Sequence, residues 1–301
     1  MVAVSVVIPA YNAARFLQAA VDSALGQSFQ DLEVLVVDDG STDDTESVIS
    51  QYGAAIRYLR QENRGVAEAR NHGIEESKGR YVAFLDADDT WSYEKLDRQM
   101  KALAAWNGRR VCYSAFKVCT EALELLSVRR SAREGSVLDD LLLRGNVVGT
   151  PSTVVCDRSL FSVVGGFDPC LSQCADWDMW IRLATVTEFL YVDEPLVEYR
   201  QHRANMSRNP ELLERDSLRV LEKGFSLSSL RPSVRAARPA AFGRNYMVLA
   251  GTYYHAGRYG DFLRCALRAV PLDPRQLGYL AGLPGRILRR RWHHRRPRRC
   301  R

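Results

Sequence analysis

The first 86 residues alternate short apolar runs, rich in β-branched residues, with longer amphipathic segments. The runs VSVVIPAY, LEVLVVDD, IRYLR and YVAFLD have the length and composition of buried strands. The segments between them, AARFLQAAVDSALGQ, DDTESVISQYG and GVAEARNHGIEESKG, carry apolar residues at helical spacing. Because strands and helices alternate, the pattern predicts an α/β fold in which helices pack on a parallel sheet.

The pattern changes after these elements. VCYSAFKV predicts another strand, and PSTVVCDRSLFSVVGGFDPC predicts a strand, a short helix and a Gly-Gly turn. A helix follows in ADWDMWIRLA, and FLYVDEPLVEYR predicts a pair of strands. From residue 210 onward helices dominate, and YMVLAGTYYHAGRYGDFLRCALRAVPLDP has the spacing of a tetratricopeptide-like helical hairpin.

The fourth predicted strand ends in three carboxylates, Asp86, Asp88 and Asp89. A metal ion, a basic side chain and water are the candidate partners of such a cluster. On an extended backbone Asp86 and Asp88 project to one side and Asp89 to the other. Two carboxylates on one face suit Mg²⁺ or Mn²⁺, whereas helix capping by Asp89 or Thr90 explains only one of the three acids.

A second acid cluster, VVDDGSTDD, ends the second predicted strand. Ser41 and Asp44 have the spacing of a capping box, so Asp43 and Asp44 are interpreted as helix-start residues. Asp38 and Asp39 precede the cap, where a carboxylate can accept a hydrogen bond from a ribose or a base N–H. The turn PAYNAARF contains no glycine, so any nucleotide here is held without a glycine-rich phosphate loop.

Asp176 and Asp178 lie near the start of the helix ADWDMWIRLA, where the helix dipole stabilises an ionised carboxylate. One of them is expected to cap the helix and the other to be free for chemistry. His202 lies near the end of the last predicted strand and is either a metal ligand or a structural residue.

Composition is that of an ordinary globular protein, with 46% hydrophobic and 26% charged residues among 301. No apolar run approaches about 18 residues, so no transmembrane helix is expected. The N-terminus MVAVSVVIPAYN has no basic leader or cleavage site, and we expect a cytoplasmic chain. Seven scattered cysteines form no C-x-x-C pair, which indicates reduced thiols rather than a disulfide framework.

The net charge of +6 is concentrated at the C-terminus. Residues 286–301, RILRRRWHHRRPRRCR, hold nine arginines and no acid, whereas the remainder holds 33 Lys and Arg against 36 Asp and Glu. Such a segment binds anionic lipid headgroups or nucleic acid, or stays solvated without a partner. We expect a membrane surface, at the inner face of the plasma membrane, rather than nucleic acid.

Six segments together carry a family resemblance: VSVVIPAYN, VVDDGSTDDT, NRGVAEARNHGI, GRYVAFLDADD, GGFD and ADWDMWIRLA. In this order they closely resemble the family 2 inverting glycosyltransferases of the GT-A fold. The resemblance implies a Rossmann-like, mostly parallel sheet flanked by helices, with a helical C-terminal extension. The resemblance covers residues 2 to about 207, so we expect a catalytic domain over residues 1–207. The helical pattern and the composition add a helical region over 208–285 and a polybasic tail over 286–301.

The resemblance also implies an activity: transfer of a sugar from a nucleoside diphosphate donor, commonly a UDP-sugar, to an acceptor hydroxyl. The implied cofactor is Mn²⁺ or Mg²⁺, which would neutralise the diphosphate leaving group. The implied acceptor is a sugar or a lipid-linked sugar, in the synthesis of bacterial surface polysaccharide, lipopolysaccharide or another glycoconjugate.

The family's donor-site positions fall on Pro9, Ala10, Tyr11, Asn12, Asp38, Asp39, Arg70, Asp86, Ala87 and Asp88. By this resemblance Tyr11 stacks near the base, Asp39 reads the uracil or ribose, and Arg70 faces the pyrophosphate. Asp86-Ala87-Asp88 matches the D-x-D signature, with Asp86 nearer the ribose and Asp88 on the metal. His202 then completes the metal shell or touches the diphosphate.

Asp176 matches the family's catalytic base, with Asp178 as the reserve candidate. The family frequently has Glu before this Asp, and here the position is Ala175. Trp177 and Trp180 either line the acceptor cleft or pack in the core.

Two other classes of protein are alternatives to a glycosyltransferase. A nucleotidyltransferase is disfavoured, because a basic, glycine-rich phosphate loop is missing near the start of the chain. A non-catalytic module that binds sugar nucleotides or a membrane surface is the main alternative. Such a module would be a transferase domain that has lost its catalytic residues. The presence of Asp86, Asp88 and Asp176 argues against that loss.

Overall fold

A computed structural model of the chain describes residues 2–106, 110–131, 133–202, 205 and 209–281. The chain divides into two compact units, Met1–Ser229 and Leu230–Arg301. These are the bounds of compact units, and the catalytic domain expected over residues 1–207 stays a prediction. The predicted polybasic tail, residues 286–301, lies outside the described residues.

One sheet runs through the first unit. Its strands are β1 (Val4–Ala10), β2 (Leu32–Asp38), β3 (Arg57–Arg60), β4 (Tyr81–Phe84), β5 (Thr90–Trp91), β6 (Val111–Cys119), β7 (Leu125–Arg129), β8 (Val154–Asp157) and β9 (Phe189–Arg200). Their order across the sheet is β3-β2-β1-β4-β8-β6-β9-β5, and β7 pairs with β6 beside this path.

Helices cover this sheet. Those of the first unit are α1 (Ala14–Leu25), α2 (Thr45–Ser50), α3 (Val66–Glu76), α4 (Lys95–Ala105), α5 (Leu138–Arg144), α6 (Leu160–Val164), α7 (Ala175–Ala184) and α8 (Pro210–Phe225). Single 3₁₀ turns occupy Gly53–Ala55 and Pro151–Thr153. The apolar positions of α1 recur at helical spacing, and the helix buries Leu17, Ala20, Val21 and Ala24.

The first four strands confirm the β-α-β-α-β-α-β prediction. β1 pairs in parallel with both β2 and β4, and β2 pairs in parallel with β3. Every residue of β1 is buried, because helices cover both faces of this half of the sheet. Gly73 lets α3 lie close against the sheet, since a Cβ there would be 2.3 Å from Val7 Cγ1.

The second half of the sheet is mixed in direction. β8 runs antiparallel to β4 and β6, whereas β6 and β9 are parallel to one another. The predicted strand pair over FLYVDEPLVEYR is wrong, because this segment forms the single strand β9. Its register against β6 passes from Val192 directly to Pro195, so the intervening residues bulge where proline has no N–H to donate to the ladder.

The second unit is helical, as predicted. It contains α9 (Pro232–Ala236), α10 (Arg238–His255), α11 (Tyr259–Leu272) and α12 (Gln276–Ala281). α10 and α11 form the predicted hairpin and bury Leu249, Tyr253, Cys265 and Ala269. Among the described helices, none combines the length and the apolar character that crossing a bilayer requires.

Candidate functional site

The loops that follow β1 and β2 are joined by side chain to backbone hydrogen bonds. Asn12, which has a positive φ of 49°, accepts from the Thr42 N–H at 2.8 Å, and its own N–H donates to Ser41 Oγ at 2.9 Å. Asp43 accepts from the N–H groups of Ala14 and Thr45. The predicted capping box is therefore absent, because Ser41 is used to close the two loops into one rim.

Asp38 and Asp39 are buried beneath this rim. Asp38 accepts from the Ser41 N–H at 2.8 Å and from the Tyr58 hydroxyl at 2.6 Å. Asp39 accepts from the Arg64 and Gly65 N–H groups at 2.9 and 2.7 Å, at the start of α3. The Asp39 carboxylate is thus fixed at the end of β2.

A chain of side-chain hydrogen bonds also holds the Asp39 carboxylate. Gln61 Nε2 donates to Asp39 Oδ1 at 2.8 Å, and Gln61 Oε1 lies 2.9 Å from His72 Nδ1. Tyr11 lies outside this buried group, with half of its surface exposed at the end of β1. Pro9 and Ala10, the last residues of β1, are buried in the sheet.

The acidic segment after β4 forms a tight turn, in which the Asp89 N–H donates to the Asp86 carbonyl at 3.0 Å. The extended path predicted for these residues is wrong, because they form this turn. The buried Asp89 carboxylate accepts from Ser152 Oγ at 2.6 Å and from the Arg200 N–H at 3.0 Å. Burial, with Asp88 and Asp86 nearby, raises the pKa of Asp89 well above its usual value.

Arg70 of α3 reaches the same turn. Its Nη2 lies 2.6 Å from Asp86 Oδ1, and its guanidinium lies over the Phe167 ring, 5.4 Å from the centroid. Asn71 holds Phe167 in place by hydrogen bonds of 2.9 and 2.7 Å to its backbone. Within the described residues, the buried Arg70 Nε has no hydrogen-bond partner, so Arg70 retains a donor.

Asp88 and His202 are in contact: Asp88 Oδ2 and His202 Nε2 are 2.8 Å apart. The His202 ring packs against Phe16, with 4.8 Å between the ring centroids, and Asn205 Nδ2 lies 3.3 Å from the same Asp88 oxygen. Burial, and then the charge of Asp86, raises the pKa of Asp88 despite its contact with His202. A cation at this position would relieve that repulsion.

Asp176 lies in the first turn of α7, partly exposed. Its Oδ1 accepts from the Trp177 N–H at 2.7 Å, and its Oδ2 accepts from Asn146 Nδ2 at 2.9 Å. Burial raises the pKa of Asp176 to about 6, against the opposing effects of Arg70 and of these two hydrogen bonds. The side chain is therefore an ionised carboxylate near pH 7 that accepts a proton readily.

Asp178 has a different environment from Asp176. Its two oxygens lie 2.6 Å from Lys223 Nζ and 2.8 Å from Arg182 Nε, and the side chain is buried. Lys223 belongs to α8 and also pairs with Asp168 at 2.8 Å. Asp178 therefore joins α7 to α8, and the geometry favours Asp176 over Asp178 for chemistry.

The two tryptophans of α7 are buried. Trp177 Nε1 donates to the Leu141 carbonyl at 3.0 Å, and Trp180 is fully buried. Both therefore pack in the core, which is the second of the two interpretations drawn from the sequence. Neither presents a ring face to a cleft.

Three residues that sequence reasoning missed complete the site: Asn146, Thr150 and Ser152. Thr150 Oγ1 donates to Asp86 Oδ2 at 3.2 Å, and Ser152 Oγ accepts from the Asp86 N–H at 3.0 Å. Asn146 and Thr150 lie just before the predicted strand segment PSTVVC, and Ser152 lies at its start, where no periodicity marks them. The adjoining Gly149, with φ of 91°, and Pro151 were the available signals of a fixed turn.

The residues proposed to hold a divalent cation fit one only in part. A carboxylate oxygen and an imidazole nitrogen converge, since Asp88 Oδ2 and His202 Nε2 are 2.8 Å apart, which is a hydrogen-bond distance. Asp86, however, is occupied by Arg70 and Thr150. Among the described residues, no preformed group of three His, Cys, Asp or Glu ligands is present. Substrate phosphate would have to supply the remaining oxygens.

The fold is GT-A-like, as two solved structures indicate. The S. aureus TarS fragment 1–349 in complex with UDP-GlcNAc superposes with a TM-score of 0.59 at 15% identity, over 88% of this chain and 90% of that one. The Pyrobaculum calidifontis mannosyltransferase PcManGT, in complex with GDP-Man and Mn²⁺, superposes with a TM-score of 0.59 at 18% identity, over 93% and 80%. At such identities the likeness establishes the fold.

Sequence comparison establishes the family. The sequence model of glycosyl transferase family 2 matches residues 5–165 of this chain. Bacillus subtilis TuaG, a glycosyltransferase named for teichuronic acid biosynthesis, is 33% identical over 215 residues, which cover 68% of this chain and 82% of TuaG. The chain belongs to glycosyl transferase family 2, which confirms the resemblance drawn from its motifs.

Because the environments of Asp176 and Asp178 differ, we expect substitution of each by Asn to change the stability of the protein in opposite directions. Because the pKa of Asp176 is raised on folding, wild type loses stability as pH rises through about 4 to 6, and Asp176→Asn removes this loss. We expect Asp176→Asn to be more stable than wild type at pH 8, by about 1–3 kcal/mol, and equal to it near pH 4. Urea denaturation at the two pH values measures this difference.

Asp178→Asn is the matched control, in the same helix with the same chemical change. It leaves Arg182 without its carboxylate and breaks the bond to Lys223, so we expect a loss of about 2–4 kcal/mol at pH 8. An Asp178→Asn variant as stable as wild type would contradict the structural role of this ion pair.

Proposed function

We propose that the protein is an inverting glycosyltransferase that moves a sugar from a nucleoside diphosphate donor, a UDP-sugar, to an acceptor hydroxyl. The observation that carries the proposal is that Asp176, Arg70 and Asp86 lie together at one edge of the sheet, and that the pKa of Asp176 is about 6. A carboxylate base and a buried guanidinium are the two groups that a displacement at a sugar diphosphate needs. TarS, a structural neighbour, was solved with UDP-GlcNAc.

The donor would bind across the ends of β1, β2 and β4. In this proposal the rim Pro9, Ala10, Tyr11 and Asn12 receives the nucleoside, with the exposed Tyr11 ring against the base. Asp39, with Asp38 beside it, accepts from a base or ribose donor. Its carboxylate has unused acceptor capacity, since its protein partners account for three of about four sites.

Arg70 would contact the diphosphate. Its Nη2 is engaged by Asp86, and its unpartnered Nε–H is a second donor, buried where a phosphate oxygen would be shielded from water. Holding Arg70 between Asp86 and Phe167 fixes its direction before substrate arrives. Such pre-organisation favours the charge that grows on the leaving diphosphate.

Asp88, Asp86 and His202 would hold Mn²⁺ or Mg²⁺ together with the diphosphate, and Ala87 of the same D-x-D segment would contact the donor. When bound, the ion supplies Lewis-acid neutralisation of the leaving group. PcManGT, which shares the fold, was solved with Mn²⁺. Burial, and then the charge of Asp86, raises the pKa of Asp88, and a bound cation would oppose both effects.

The reaction proposed is a single displacement. Asp176 removes the proton of the acceptor hydroxyl as its oxygen attacks the anomeric carbon, and the bond from that carbon to the diphosphate oxygen breaks. Attack from the face opposite the leaving group inverts the anomeric configuration. The proton ends on Asp176, and Asn146 and the Trp177 N–H keep the carboxylate directed during the transfer.

We further propose that the catalytic domain covers residues 1–207, that residues 208–285 form a helical region and that residues 286–301 contact anionic lipid. The protein then works in the cytoplasm at the inner face of the plasma membrane, on a sugar or lipid-linked acceptor. TuaG, a relative named for teichuronic acid biosynthesis, supports a role in surface polysaccharide or related glycoconjugates. The nine arginines of the tail support the membrane contact.

Thermal unfolding with nucleotides tests the donor site. At about 100 times Kd, UDP with Mn²⁺ is expected to raise the melting temperature by about 4–6 °C, because a ligand of the native state stabilises by mass action. EDTA or Asp88→Ala should abolish the shift. A shift with GDP or CDP instead would change the donor, and no shift with any nucleotide and metal would contradict the proposal.

The pH dependence of turnover tests the base. With Asp176 as base, kcat/KM rises with pH and levels off above a midpoint near 6, and Asp176→Asn lowers kcat by about 10²–10⁴. Asn146→Ala removes a hydrogen bond that favours the carboxylate, so the midpoint should move up by about 0.5–1 unit. Asn146→Asp should move it further, by adding a negative charge. Midpoints that do not move would contradict this assignment.

A further inference from the structure

The two compact units of the chain differ strongly in charge. Residues 1–229 contain 25 Lys and Arg against 34 Asp and Glu, a net charge of −9. Residues 230–301 contain 17 arginines, no lysine and two acids, a net charge of +15. Eight of those arginines precede the polybasic tail, so the positive charge belongs to the helical unit as well as to its end.

An apolar stripe runs along the outer face of α11. Tyr259, Leu263 and Leu267 recur every four residues, so they lie on one side of the helix, and they are 61%, 57% and 73% exposed. The helix buries a different set, Cys265, Ala266 and Ala269, against its neighbours. Packing within the hairpin therefore leaves Leu263 and Leu267 largely exposed, whereas the Tyr259 ring also contacts Tyr254 of α10 with 5.6 Å between the ring centroids. Leu277 of α12 is 56% exposed as well.

Arginines border the stripe. Arg264 and Arg268 each follow a stripe leucine and lie about 100° further round the helix. The Arg268 guanidinium lies over the Tyr246 ring, and Arg264 is hydrogen-bonded to Asp261 in the first turn of the same helix. Arg264 also lies over the Tyr253 ring, so both guanidinium groups flank the leucines while they rest on rings of α10. Leucines next to arginines on one helix are typical of helices that lie in a membrane interface.

We infer that the stripe Tyr259, Leu263 and Leu267 inserts into the headgroup region of an anionic bilayer, with the arginines of the helical unit on lipid phosphates. The charge of +15 complements an anionic surface and opposes pairing with a second copy of the same unit. Apolar leucines contribute nothing to a phosphate backbone, which argues against nucleic acid. This inference extends the membrane contact proposed for the tail, and it does not depend on the transferase reaction.

Co-sedimentation of the full chain with lipid vesicles tests the inference. Vesicles of phosphatidylcholine alone are compared with vesicles that also contain phosphatidylglycerol, without nucleotide or acceptor. Wild type is expected to bind the anionic vesicles, and Leu263→Gln/Leu267→Gln to bind them at least about tenfold more weakly. The variant keeps every arginine, so a loss reports the stripe rather than the tail.

The control for surface substitution in general is Val163→Gln/Val186→Gln, which changes two exposed valines of the first unit and should bind as wild type does. Equal binding of wild type and the leucine variant would overturn the inference and leave the tail as the sole contact. Failure of wild type to bind anionic vesicles would overturn it too. Light scattering that shows a wild-type dimer and a monomeric leucine variant, with unchanged vesicle binding, would assign the stripe to a second copy.

Because vesicle binding needs no turnover, a protein that binds membranes but transfers no sugar would refute only the proposed function. A protein that transfers sugar with the predicted pH dependence but ignores vesicles would refute only this inference. The two proposals can therefore fail separately.

Discussion

The Ser152 hydroxyl and the Asp89 carboxylate form the contact on which the rest of the site depends. Ser152 Oγ accepts from the Asp86 N–H and donates to Asp89, so one hydroxyl closes both ends of the acidic turn. The Arg200 N–H holds the other Asp89 oxygen, and Arg200 Nε donates to the Asp88 carbonyl. The end of β4, the turn before β8 and the end of β9 therefore meet at a single buried carboxylate.

This arrangement gathers negative charge that the protein alone does not balance. Asp86 has Arg70 as a partner, whereas the pKa values of Asp88 and Asp89 are raised by burial and by mutual repulsion. Fixing the turn costs stability, which hydrogen bonds to Ser152 and Arg200 offset. What remains is the contact between the Asp88 carboxylate and the His202 imidazole, next to the buried Arg70 guanidinium, whose Nε has no partner in the part of the chain that the structure describes. A cation bound to a diphosphate would satisfy both groups, because the cation would bind at Asp88 and His202 and a phosphate oxygen would accept from Arg70.

The sequence predicted the elements that local pattern controls and missed those that depend on distant contacts. The strands β1 to β4, with acids at the ends of β2 and β4, follow from runs of apolar residues, and all four are present. Asn146, Thr150 and Ser152 carry no periodic signal, and only the fold brings them to Asp176 and Asp86. The choice between Asp176 and Asp178 also needed the structure, because the cation that separates them, Lys223, lies on another helix.

Binding of Mn²⁺, followed by electron paramagnetic resonance of the free ion, tests the central claim most directly. The account predicts that wild type removes Mn²⁺ from solution in the presence of UDP, up to a single ion per chain, and that Asp88→Asn does not. It also predicts weak binding without UDP, because the protein ligands alone leave the coordination shell incomplete. Equal binding by wild type and Asp88→Asn, or binding that UDP does not strengthen, would contradict a site built for a cation and a diphosphate together.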